Sequence, residues 1–80
     1  MTNKRKIQIL KEMKKRIEGG YDVCLCGAYF SITGHFNVGE IGLINPAGNT
    51  FYGAFWFPRN EEGKQERIKL ISKTIRKLSK

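Results

Sequence analysis

Cys24, Cys26 and His35 are the residues of this 80-residue chain whose types invite chemistry. Two thiols and an imidazole are soft metal ligands, and a thiol beside an imidazole is a nucleophile with its base. Neither reading finds the rest of its machinery. A structural zinc site takes four ligands, typically as two separated pairs. The chain has two cysteines and one histidine, so Asp22 or Glu40 would have to be forced in as the fourth. No motif and no oxyanion device accompanies either cysteine. In a strand Cys24 and Cys26 point the same way, and a disulfide between such near neighbours would be strained. Buried, reduced thiols are therefore expected, in keeping with a cytoplasmic protein. Gly39, Gly42, Gly48 and Gly53 match neither a phosphate loop nor a dinucleotide fingerprint, and turns and tight packing are their simpler roles. The expectation is a protein that is not an enzyme and has no cofactor and no metal.

What remains is charge and aromatic surface. Residues 1–20 hold seven Lys or Arg against two Glu, and residues 61–80 hold seven against three. The residues between carry only Asp22, Glu40 and Arg59, and the whole chain sums to +8. Two cationic ends thus bracket a nearly uncharged, aromatic, glycine-rich middle. In a helical reading of the ends, Lys4, Lys11 and Lys15 share one face. Lys69, Lys73, Arg76 and Lys80, spaced 4, 3 and 4, share another over roughly 16 Å of helix. Such rows meet phosphates, or they are simply solvated outer faces.

The elements that must carry these residues follow from periodicity. Ile7, Leu10, Met13 and Ile17 predict an amphipathic helix over 4–18, with Asn3 as N-cap, Gly19 and Gly20 as its stop, and Glu12–Arg16 as an i,i+4 pair. Ile68, Ile71, Ile75 and Leu78 predict a second helix over 64–79, after a polar link at 60–63. Residues 22–32 are rich in Val, Cys, Leu, Tyr, Phe and Ile, which favours a strand. A short buried helix competes, because continuous apolar runs fit both. Residues 40–44 and 50–57 predict a hairpin around the turn residues Asn45-Pro46-Ala47-Gly48-Asn49. The expected fold is α+β, a three-stranded antiparallel sheet flanked by terminal amphipathic helices in the order α-β-β-β-α, as a single domain over 1–80.

A sheet of three strands with two helices to cover it leaves one face open if both helices pack on the same side. The strand alternation puts Tyr29, Tyr52 and Trp56 on that outer face, available for base stacking or for an interface. One helix on each side would close both faces instead. No apolar run reaches the roughly 18 residues of a membrane span, and no signal peptide opens the chain.

The element order resembles that of the double-stranded RNA-binding domain, with Gly34-His35-Phe36 in a middle loop and Gly63-Lys64-Gln65-Glu66-Arg67 opening the last helix. That resemblance implies recognition of duplex shape. The chain departs from the family in lacking its compact lysine motif, where Glu66 intrudes, and in packing Ile and Leu where the family has alanines. A second resemblance, carried by residues 17–24, by Phe55-Trp56-Phe57-Pro58, and by Gly63 with Arg67-Ile68, is to small phage-encoded accessory proteins. It implies no settled activity, but a compact accessory protein, such as an inhibitor of host defence or a sequestering binder, in the host cytoplasm if the chain is phage-encoded.

Three functions are consistent with these residues. The first is a cationic module for nucleic acid, using Lys4, Lys11, Lys15, Lys69, Lys73, Arg76 and Lys80 for phosphates, with Tyr52 and Trp56 stacking. The second is a protein-binding, homo-oligomeric module using Tyr29, Tyr52 and Trp56. The third is a sponge for anionic nucleotides at an oligomer seam.

Overall fold

The computed structural model describes residues 1–20, 24–43 and 60–80. Within them lie three α-helices, α1 (Asn3–Glu18), α2 (Leu25–Thr33) and α3 (Glu61–Leu78), and a 3-10 helix at Val38–Ile41. Among the described residues there is no strand. The α+β expectation and its α-β-β-β-α order are therefore corrected, and the likeness in order to the double-stranded RNA-binding domain falls with them.

The terminal helices form where the apolar spacing placed them. In α1, Ile9, Leu10, Met13 and Ile17 are buried, and burying one stripe is what stabilises a helix of this length in a folded protein. Its N-cap is Thr2 rather than Asn3, the hydroxyl oxygen accepting from the Arg5 N–H at 3.2 Å. Gly19 closes it. Helix α3 starts three residues earlier than the spacing indicated. Asn60 is not part of a linker but the N-cap, its Oδ1 accepting from the Gly63 N–H at 2.8 Å. Glu61 and Glu62 then fill the first turn and Arg76 and Lys77 the last, each sign at the end of the helix dipole that favours it.

Residues 22–32 were expected as a strand, and the described part of that segment is helix. Leu25, Ala28 and Tyr29 are buried, with Ile32 packed against them. Their spacing of 3, 1 and 3 is one helical face. Three local devices hold the helix ends. The Cys24 Sγ accepts from the Gly27 N–H at the start. Ser31 and Thr33 donate back to the carbonyls of Ala28 and Tyr29. Gly34 stops the helix at φ 78°, a left-handed conformation that costs glycine little. The run's strand-favouring residue types lose here to burial, since β propensity depends on context.

The expected hairpin is corrected where it is described. Glu40 and Ile41 belong to the 3-10 helix, which Asn37 caps by accepting from the Gly39 N–H at 3.0 Å. Gly42 turns the chain at φ 86° and delivers Leu43 into the core. The turn at 45–49 and the second strand at 50–57 lie outside the described residues.

One apolar cluster joins these elements. Leu10, Met13 and Ile17 of α1 meet Leu25, Cys26, Ala28 and Tyr29 of α2, Val38 and Ile41 of the 3-10 helix, Leu43, and Ile71 of α3. Helix α1 is the hub, packing against α2, α3 and the 3-10 helix.

Candidate functional site

The seven cations singled out in the sequence, Lys4, Lys11, Lys15, Lys69, Lys73, Arg76 and Lys80, are all exposed. They fall in two rows, each on the side of its helix away from the buried stripe, except Lys80, which follows the end of α3. Since α1 and α3 pack on one another through those stripes, each row looks outward from its own helix. The row on α3 is the longer, and it has a polarity that its cations alone do not reveal. Continued toward the N-terminus at the same spacing, it meets Glu66 and Glu62, both exposed. The face therefore runs from acidic to basic along the helix. A polyanion is attracted to its C-terminal half and repelled from its start.

Two other basic residues do different work. Arg67 is 2% exposed, on the buried side of α3, and so adds nothing to the outer surface. Arg16 spans two helices. Its Nε lies 3.4 Å from Glu12 Oε1, as the i,i+4 spacing predicted. Its Nη1 donates to the Ser31 Oγ of α2 at 3.0 Å. Beside it an open groove of about 610 Å³ at the end of α1 is lined, among the described residues, by Glu12, Lys15, Arg16, Gly19 and Gly20.

The aromatic part of the expected site is rearranged. Tyr29 was placed on an open outer face and is fully buried, because residues 25–33 are a helix whose inner face it occupies. Its hydroxyl donates to Glu40 Oε2 at 3.2 Å, and His35 Nδ1 sits 3.3 Å from the same oxygen. His35 thus serves a clasp between the end of α2 and the 3-10 helix. Burial, with help from the Glu40 charge, pushes the Tyr29 phenol above its ordinary range. Tyr52 and Trp56 lie outside the described residues.

The aromatic surface that is described is a different pair. Phe30 and Phe36 stack with ring centroids 4.3 Å apart and planes 10° from parallel, and they are 45% and 55% exposed. A strand that turned Tyr29 outward would turn its neighbour Phe30 inward. The helical spacing of Leu25, Ala28, Tyr29 and Ile32 carries the signal that puts it outside, since Phe30 falls off that face.

The thiols sit at the start of α2. Cys24 is half-buried and Cys26 buried, both unbridged, with their sulfurs 3.2 Å apart. Among the described residues no cluster of His, Cys, Asp and Glu is placed to hold a metal ion. No described helix is long and apolar enough to cross a membrane.

Searches against family models, curated proteins and solved structures find no match to this chain.

Proposed function

We propose that this is a small, non-enzymatic basic binding protein that meets an anionic partner, nucleic acid first among them, through the cationic end of α3. Its place of action on this reading is the cytoplasm, the host's if the chain is phage-encoded. The observation that carries the reading is the row Lys69, Lys73, Arg76 and Lys80, exposed at every position and backed by the buried Ile71. Helix α3 holds Lys69, Lys73 and Arg76 in line, with Lys80 just past its end, so little ordering is needed before they meet phosphates.

The test is titration of labelled duplex and single-stranded oligonucleotides at 50 and 200 mM salt. If all four charges neutralise duplex phosphates, log K falls against log salt with a slope of about −3.6, or about 150-fold weaker binding over that range. Absence of binding at 50 mM salt overturns the reading.

A second reading, of a homo-oligomeric or protein-binding accessory module, draws on the exposed Phe30–Phe36 stack. Paired exposed rings are the kind of surface that interfaces cover. Light scattering at high micromolar concentration separates the homo-oligomer from a monomer. Phe36→Ser returns an oligomer to monomer if this stack is the contact.

A further inference from the structure

The start of α2 holds an asymmetric pair of thiols that the binding reading does not use. Cys24 is the N-cap of the helix, and its Sγ accepts the Gly27 N–H at 3.4 Å. A sulfur there is held at the mouth of the helix and is only half-buried. Cys26, two residues on, is 1% exposed. Its burial, followed by the hydrogen bond and charge of Cys24, pushes its thiol up to about 12. At neutral pH Cys26 keeps its proton, and its sulfur lies 3.2 Å from the Cys24 sulfur. A pocket of about 240 Å³ beside the pair is lined, among the described residues, by Cys24, Cys26, Gly27 and Phe36. One thiol is partly exposed at the helix cap. The other is protonated and in contact with it.

We propose that Cys24 and Cys26 form an oxidisable dithiol, in which Cys24 is oxidised by a hydroperoxide and Cys26 then closes a reversible Cys24–Cys26 disulfide. In the first step the Cys24 thiolate attacks the terminal peroxide oxygen. The S–O bond forms as the O–O bond breaks, the sulfur is oxidised by two electrons to the sulfenic acid, and the peroxide leaves as an alcohol, or as water from hydrogen peroxide, after taking a solvent proton. In the second step the Cys26 sulfur attacks the Cys24 sulfur. The S–S bond forms, the S–O bond breaks, and the hydroxide leaves with the Cys26 proton as water. The second step needs little movement, because the two sulfurs already lie 3.2 Å apart. A ring closed between residues two apart is strained, and strained disulfides are readily reduced, so the resting state is the dithiol. Oxidation also takes the Cys24 sulfur out of its cap on the Gly27 N–H.

The experiment uses the full chain, reduced, exposed to one equivalent of hydrogen peroxide, alkylated and weighed by mass spectrometry. The expected product is two hydrogens lighter, resists alkylation at both cysteines, and is restored by dithiothreitol. Cys26→Ser should accumulate a sulfenic acid on Cys24 that dimedone captures. Cys24→Ser should leave Cys26 oxidising at least about 10-fold more slowly, with circular dichroism showing both variants folded. The proposal is overturned if both cysteines of the native chain still alkylate fully after peroxide. Bridges forming only between chains, or dimedone capture on Cys26 rather than Cys24, overturn it equally.

Discussion

Tyr29 shows how one side chain's place changes what it can do. On the outside of a sheet its ring would be a stacking surface. On the inner face of α2 it is a fully buried anchor whose hydroxyl finds Glu40. Tyr29→Phe should cost about 1 kcal/mol in urea melts at pH 7 for the lost hydrogen bond, and Tyr29→Ala about 3–5 kcal/mol for the cavity. Alkaline pH probes the same region. The folded chain holds the Tyr29 proton above the phenol's ordinary value of 10.0 and the Cys26 proton from 9.0 up to about 12. The unfolded chain releases both protons sooner, so stability is full below pH 9 and falls as pH rises toward 12. Urea midpoints at pH 7, 9, 10 and 11 should decline in that order, and Cys26→Ala should remove the part that begins near pH 9. A flat profile contradicts these burial assignments.

At the scale of elements, the terminal helices and the central one were unequally legible. Helices α1 and α3 separate apolar from charged residues around the helix, so their patterns admit one reading. Helix α2 has no charged residue at all, and its contrast between faces is weak. Its polar residues, Ser31 and Thr33, bond back to the helix itself rather than marking an outer face. The strand expectation therefore rests on residue types, and the Leu25, Ala28, Tyr29, Ile32 spacing becomes visible as one face only in the folded helix. The boundary residues were the better guide: a cap at Cys24 and a glycine at 34. Gly34→Ala places a side chain at φ 78° and should cost about 1–2 kcal/mol, read by thermal or urea denaturation. Asn60→Ala should cost about 1 kcal/mol through the α3 cap, and Asn60→Asp should retain most of that stability.

At the scale of the whole molecule, each terminal helix brings a cationic row of its own. Replacing Lys69, Lys73, Arg76 and Lys80 by Gln should flatten the salt dependence of oligonucleotide binding by about 3.6 in log–log slope if that row carries the contacts. Replacing Lys4, Lys11 and Lys15 should leave most of the slope in place. Both variants should stay within about 0.5 kcal/mol of the native stability, because the substitutions lie on outer faces. Equal losses from both rows would instead indicate non-specific attraction to a chain of net charge +8.

Amphipathic spacing determined the two terminal helices and the exposure of all seven predicted cations, since burying an apolar stripe forces the opposite face outward whatever the partner elements are. It also determined the Glu12–Arg16 pair, which is local to one helix. The state of residues 25–33, and with it which aromatic rings are inside, was decided by packing. An all-apolar run carries little directional information of its own, and it becomes helical here by burying Leu25, Ala28 and Tyr29 in the core shared with α1. That same packing brought Tyr29 to Glu40, set Phe30 against Phe36 in solvent, and buried Cys26 while leaving Cys24 half-buried.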